Sequence, residues 1–74
     1  MYQEQVLKRI GIKLKRLRIQ AGYNSYETFA WDNNLNRMQY WRMEKGSYNI
    51  TVRSLVKVLE IHKITIEEFF SENL

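Results

Sequence analysis

Residues 25–46 read SYETFAWDNNLNRMQYWRMEKG and contain the signals for two short helices with a tight turn between them. Ser25 and Asn36 are residue types that cap helix N-termini, because their side-chain oxygens accept hydrogen bonds from free backbone amides. Asn34 tolerates the left-handed backbone that ends a helix, and Gly46 adopts it without a steric penalty. The stretch therefore predicts helices over 26–33 and 37–45, joined by a turn of about three residues at 34–36.

Apolar residues on both sides of this stretch recur at helical spacing. Ile10, Leu14 and Leu17 form one stripe that ends before Gly22, a residue suited to a left-handed helix end. Thr51 and Thr65 are candidate N-caps for the later segments. Three further helices are therefore predicted, over 3–21, 52–61 and 66–70. The predicted fold class is all-α, a compact five-helix domain spanning 1–74, with frayed residues at 1–4 and 71–74.

The composition narrows the class of protein before any motif is considered. The chain has 74 residues, no cysteine and a formal net charge of +4. The absence of cysteine excludes a disulfide framework and a thiolate metal site. Apolar runs are too short to cross a bilayer, and the start of the chain lacks a signal-peptide pattern, so we expect a soluble cytoplasmic protein.

The charge is distributed unevenly along the chain. Residues 1–45 contain nine Lys/Arg and four Asp/Glu, which gives 9 − 4 = +5, whereas residues 46–74 contain three and four, which gives 3 − 4 = −1. A one-sided positive field attracts polyanions such as nucleic acid. Charge alone is weak support for that partner, because basic surfaces also serve solubility.

The two helices around the tight turn have the geometry of a helix-turn-helix, whose second helix can enter the DNA major groove. The second helix has side chains that read base edges: Arg37 and Arg42 suit guanine, and Gln39 suits adenine. The backbone amides at its start, near Asn36, suit a phosphate. Two apolar residues leave alternatives open. Met38 either packs in the core or contacts a thymine methyl group, and Trp41 packs on the first helix, joins a dimer contact or contacts DNA.

Three stretches of the chain resemble the phage repressor/Cro type of helix-turn-helix domain, the Xre family. They are IGIKLKRLRIQAGYNSYETFA at 10–30, LNRMQYWRMEKG at 35–46 and SLVKVLEIHKITIEEFF at 54–70. The resemblance implies the lambda-repressor-like fold and sequence-specific binding of double-stranded DNA by a transcriptional regulator.

The resemblance also implies roles for individual residues. Ala30 is the small residue that lets the two helices of the motif approach each other. Arg18 and Glu44 form a structural ion pair between the first and third helices. The DNA-contacting positions that it implies are Tyr26, Arg37, Met38, Gln39, Trp41, Arg42, and Lys45 and Asn49 in the loop that follows the DNA strand. Tyr26 stands where the family often has Gln, and Lys63 stands where the family prefers Gly.

Catalytic and metal-binding interpretations find little support in the sequence. His62 lies on an apolar helix side without a second His or Cys, which favours a packed histidine over a ligand. Glu67 and Glu68 fall in a first helical turn, where negative charge complements the helix dipole. No nucleophile–base set or phosphate-binding glycine loop is present. We therefore expect no enzyme activity, no cofactor and no metal.

Two kinds of protein partner are consistent with the sequence. A homodimer would use the C-terminal segment at 64–74, where Phe69 or Phe70 would remain exposed. The alternative to a DNA-binding regulator is an antitoxin-like or other protein-interaction module, anchored by exposed aromatic residues. These anchors would be Tyr23, Trp31 and Tyr48, although Trp31 is otherwise expected to be a partly buried packing residue.

Overall fold

The protein is all-helical in the computed structural model, which describes residues 2–47 and 49–71. Five helices follow one another, and no strand occurs in those ranges. None of the helices in this described part is long and apolar enough to cross a membrane. The helices are α1 (Tyr2–Gln20), α2 (Tyr26–Asp32), α3 (Arg37–Lys45), α4 (Val52–Ile61) and α5 (Ile66–Ser71).

The predicted helix boundaries agree with the structure to within one residue. The ranges of α3 and α4 are confirmed without change. α1 contains Tyr2, Gln3 and Glu4, and α5 continues through Ser71, so the described part of both predicted frayed ends is helical. Met1 and residues 72–74 lie outside the described residues.

Side-chain caps fix the starts of the four later helices. Ser25 Oγ accepts hydrogen bonds from the amides of Glu27 and Thr28, and Thr51 Oγ1 accepts one from Ser54. Thr65 and Glu68 form a reciprocal capping box, with N–O distances of 3.1 and 2.9 Å. These caps confirm the predicted N-termini and satisfy amides that the helices cannot pair internally.

The helix ends use the left-handed backbone where the sequence predicts it. The φ angles are 94° at Gly22, 59° at Asn34 and 68° at Gly46. Lys63 also adopts a φ of 58°, so this turn keeps the left-handed conformation although it lacks the glycine. A side chain at such a position costs about 1 kcal/mol relative to glycine.

One apolar core joins all five helices. Leu14, Phe29, Ala30 and Phe69 are fully buried, and α1 packs mainly against α3. The buried apolar residues are Ile10, Leu14, Phe29, Ala30, Tyr40, Met43, Leu55, Val58, Leu59 and Phe69. This core fixes α2 and α3 against the long first helix and leaves the outer face of α3 to solvent.

Two glycines let α1 and α3 approach each other closely. A β-carbon at Gly11 would stand only 2.7 Å from the carbonyl oxygen of Met43, and one at Gly46 would stand 2.7 Å from Cα of Lys8. Both distances are below those of ordinary van der Waals contact. The C-terminal end of α3 is therefore held against α1 through backbone contact.

Candidate nucleic-acid interface

The two helices of the motif, α2 and α3, are joined by a four-residue connection, Asn33–Asn36, which is one residue longer than predicted. The amide of Leu35 donates to the carbonyl of Ala30 at 2.8 Å, and Asn33 Nδ2 donates to the carbonyl of Phe29 at 2.8 Å. Ala30 has no exposed surface, as expected for the small residue between the helices. The turn geometry therefore sets the position of α3 relative to α2.

The two faces of α3 differ in burial as the sequence predicts. Tyr40 and Met43 are buried in the core, with exposures of 1% and 5%. Met38 is 48% exposed, which excludes the alternative that it packs in the core. The exposed residues of α3 are Arg37, Met38, Gln39, Arg42 and Lys45.

Asn36 and Arg37 at the start of α3 already have partners in the protein. Asn36 Oδ1 accepts a hydrogen bond from the amide of Gln39 at 2.9 Å, which confirms the N-cap. Arg37 Nη1 lies 3.5 Å from Glu27 Oε2, and both side chains are more than half exposed. An exposed pair of this kind contributes about 0–1 kcal/mol, so Arg37 can leave Glu27 for a stronger acceptor at little cost.

Trp41 lies half-buried at the edge of the exposed face and packs against aromatic and basic neighbours. Its ring centroid is 6.4 Å from that of Tyr26 on α2. Lys45 Nζ lies 5.6 Å from the centroid of the Trp41 ring. Trp41, Tyr26 and Lys45 line one groove together with Ile12 and Lys15 of α1. This groove extends the α3 surface towards the first helix.

Lys45 also borders a second groove, at the far end of α3. Asn49 lies there beside Lys8 and Gly46. Asn49 Oδ1 accepts a hydrogen bond from Gln3 Nε2 at 3.2 Å in an exposed position. The structure thus brings together the predicted residues Lys45 and Asn49, and it adds Lys8 to them.

The Arg18–Glu44 pair that the resemblance implies is present, and the structure shows that it is buried. Arg18 Nε and Nη2 donate to the two carboxylate oxygens of Glu44 at 2.8 and 3.2 Å, and Nη1 donates to the carbonyl of Tyr23 at 2.9 Å. The two side chains are 5% and 7% exposed. The hydrogen bond to Glu44 raises the pKa of Arg18, and burial is the main cause of the raised pKa of Tyr40 beside them. The pair ties α1 to α3.

The prediction that Trp31 is a partly buried packing residue is wrong, because this residue is 85% exposed on the outer face of α2. α2 has only seven residues, and its inward side is occupied by Phe29 and Ala30. Tyr23 is half-buried and donates to Asp32 Oδ2 at 3.0 Å. The third proposed anchor, Tyr48, lies outside the described residues.

Two features of α1 were missed from sequence. Lys13 is 3% exposed, and its Nζ donates to the carbonyl of Phe69 at 3.1 Å. Its spacing could have shown this, since Lys13 lies three residues after Ile10 and four before Leu17, on the apolar stripe. The second feature is that Lys15 lines the same groove as Trp41, which depends on how α1 packs against α3.

His62 is a packed histidine in the structure, in agreement with the sequence. Its ring stacks on Phe29 with centroids 5.3 Å apart and planes 7° apart. Burial lowers its pKa, because the charged imidazolium is disfavoured away from water. Within residues 2–47 and 49–71, no group of three or more His, Asp or Glu residues is arranged to hold a metal ion.

Comparison with known proteins places the chain in a family. Control protein C.MunI from a Mycoplasma species is 38% identical to it over 64 residues, which are 86% of each chain. The chain belongs to the family of this control protein. No family model and no solved structure matches it. The similarity covers most of the helical domain and most of the relative, and not one short motif alone.

Proposed function

We propose that this control-protein relative is a sequence-specific regulator that binds double-stranded DNA in the cytoplasm with α3 in the major groove and performs no catalysis. One observation supports the proposal most strongly. A helix anchored by Tyr40 and Met43 leaves Arg37, Gln39 and Arg42 exposed to solvent. Arginine and glutamine are the side chains that form bidentate hydrogen bonds with guanine and adenine in the major groove.

Phosphate contacts would come from the basic residues beside α3. Lys8, Lys15 and Lys45 are exposed at the two grooves that border the helix. Lysine contacts release counterions from DNA, which supplies much of the affinity and makes it depend on salt. Tyr26 and Asn49 also lie in these grooves and can donate hydrogen bonds to phosphate oxygens.

The proposed regulator acts as a homodimer on two half-sites about one helical turn apart. The proposed dimer surface is the C-terminal segment at 64–74. Within its described part, Phe70 is 46% exposed, whereas Phe69 is fully buried in the core. Phe70 is therefore the residue that supports a contact between two copies.

Selection from random duplexes tests the proposal. We expect one enriched sequence with two related half-sites. Its affinity should fall with salt, with a slope of several units in a plot of log affinity against log salt concentration. Failure to enrich any sequence, together with no salt-sensitive binding of duplex DNA at low ionic strength, would contradict it.

The exposure of Trp31 favours a second candidate function, an antitoxin-like or other protein-interaction module. Isolated aromatic residues on a surface are frequent anchors of protein interfaces. Trp31 lies beside a shallow groove bordered by Glu27 and Leu35. Under this candidate, duplex binding would be weak and without sequence preference, and the same selection experiment separates the two functions.

A further inference from the structure

Trp41, at the edge of the exposed α3 face, is the aromatic residue of that helix whose role is least clear from the sequence. Tryptophan at a groove-facing site suggests apolar contact with a thymine methyl group. The ring of Trp41, however, already has two neighbours in the protein, namely Tyr26 at 6.4 Å and the Lys45 ammonium at 5.6 Å. It is half-buried, whereas Met38 on the same helix is 48% exposed.

Lys45 is the residue most affected by this arrangement. It lies four residues after Trp41, which places the two side chains on the same side of the helix in successive turns. A lysine ammonium near the face of an indole ring is attracted by the electron density of that ring. A free lysine side chain on a surface samples many rotamers, so this attraction favours the rotamers that hold the Lys45 ammonium over the Trp41 ring at the rim of the groove.

The groove has the charge that a phosphate group requires. Lys15 of α1 lines it together with Lys45. The only carboxylate that the described residues contribute to its lining, that of Glu44, is engaged by Arg18 at 2.8 Å. The groove therefore presents two ammonium groups next to a neutralised carboxylate. It lies beside α3, where the sugar–phosphate backbone runs when a helix occupies the major groove.

The geometry points to Trp41 as a positioning residue that orients Lys45 towards a DNA phosphate in the groove between α1 and α3, and not as a reader of bases. The inference rests on the proposed function. It assigns the Trp41–Lys45 pair to affinity, and it leaves sequence preference to Arg37, Gln39 and Arg42.

The test measures the salt dependence of duplex binding for Lys45→Gln, Trp41→Leu and the double variant. Loss of one phosphate contact makes the slope of log affinity against log salt concentration shallower by about 0.9. An increase from about 50 to 200 mM salt then reduces the affinity about threefold less than it does for wild type. We expect Trp41→Leu to reproduce most of the Lys45→Gln change, and the double variant to match Lys45→Gln alone. The ratio of specific to non-specific affinity should change less than twofold.

Matched variants separate this effect from general damage. Trp31→Leu removes an exposed tryptophan from α2, and Lys63→Gln removes a charge in the α4–α5 turn; both should keep the wild-type slope. Trp41→Phe retains an aromatic face and should keep a slope between those of wild type and Trp41→Leu. This conservative variant also provides a test if Trp41→Leu does not fold.

A measurement on the free protein is independent of DNA. The side-chain methylene protons of Lys45 near the Nζ should resonate upfield in wild type, because they lie over an aromatic ring, and should return to ordinary positions in Trp41→Leu. Unshifted Lys45 resonances in wild type would overturn the inference. So would a Trp41→Leu or Trp41→Phe variant that loses sequence preference at an unchanged salt slope.

Failure of the proposed function gives a different result. In that case wild type shows no sequence-specific duplex binding, and the positioning role fails with it even if Lys45 is shifted upfield. If wild type binds specifically but Lys45→Gln keeps the wild-type slope, the proposed function stands and the positioning role is wrong.

Discussion

Arg18 and Glu44 form a buried ion pair between α1 and α3. Each charge depends on the other because water is excluded from both side chains. Removing one partner of such a pair strands the other charge in a place with little hydration. The cost of the change then exceeds the energy of the hydrogen bonds themselves.

We expect Arg18→Met to lower the free energy of unfolding by about 3–5 kcal/mol, as measured by urea denaturation. Combining it with Glu44→Leu should recover part of that loss, because no charge is then stranded. The matched control is Arg37→Met, which breaks the exposed pair with Glu27 and should cost less than about 1 kcal/mol. Equal losses for Arg18→Met and Arg37→Met would show that the buried pair has no special role.

His62 links stability to pH because its pKa is lowered in the folded state from the ordinary value of 6.5. Between the two pKa values the unfolded chain binds more protons than the folded one, so stability falls as the pH drops below 6.5. The lowered pKa of Glu68 acts in the same direction, but only near and below its ordinary value of 4.5.

The melting temperature of wild type should therefore decrease from about pH 7.5 to about pH 5.5, the range in which an unperturbed histidine titrates. His62→Phe keeps a ring to stack on Phe29 and has no proton to bind, so its melting temperature should stay nearly constant over this range. An equal decrease in both proteins would assign the effect to other groups.

At the scale of elements, the contact between α1 and α3 determines where the candidate interface points. Gly11 allows the backbones to touch, and a β-carbon there would collide with the carbonyl groups of Met43 and Glu44. Backbone atoms cannot move aside as a flexible side chain can. The helices would have to separate.

Gly11→Ala should lower the free energy of unfolding by about 1–3 kcal/mol, although alanine favours helices over glycine. Gly22→Ala is the comparison. A β-carbon at Gly22 would meet no atom within 4 Å, so this change adds only the strain of a positive φ, about 1 kcal/mol. A Gly11→Ala protein as stable as wild type in urea denaturation would contradict the close approach of α1 and α3.

The helices themselves were predictable because their ends are encoded locally. Ser25, Asn36 and Thr51 cap the helices that they precede, and Gly22 and Gly46 end the helices that they follow. Each of these signals depends on one or two neighbouring residues. Periodicity then placed Tyr40 and Met43 on the buried face of α3.

The environments of several side chains were not predictable, because they depend on how helices pack. Trp31 is large and apolar, yet its helix has only seven residues and turns it outward. Lys13 lies on the apolar stripe, which indicates a buried position, but the hydrogen bond from its ammonium to the carbonyl of Phe69 depends on where α5 packs. Neighbours from other helices determine both environments, and they also determine that Lys15 and Trp41 line the same groove.

For the whole molecule, the arrangement of charge agrees with the proposed function. The described residues form a body of 32 × 23 × 21 Å, small enough for one helix to dominate one side. The basic excess falls in residues 1–45, which include α1 and α3. Within this part of the chain, Lys8, Lys15 and Lys45 line the two grooves beside α3, so electrostatic attraction and base contacts would act near the same helix.

A comparison of two arginine variants tests whether the exposed face of α3 reads DNA sequence. Arg42→Ala removes an exposed arginine from α3, and Arg16→Ala removes one of equal charge from α1. Binding of each variant to the selected duplex and to an unrelated duplex would be measured at one salt concentration. Arg42→Ala should reduce the preference for the selected duplex by about 5- to 160-fold, corresponding to a loss of about 1–3 kcal/mol of base discrimination, and Arg16→Ala should leave that preference unchanged. If both variants keep the wild-type preference, α3 does not read the sequence through Arg42, and the proposed role of its exposed face in base recognition is wrong.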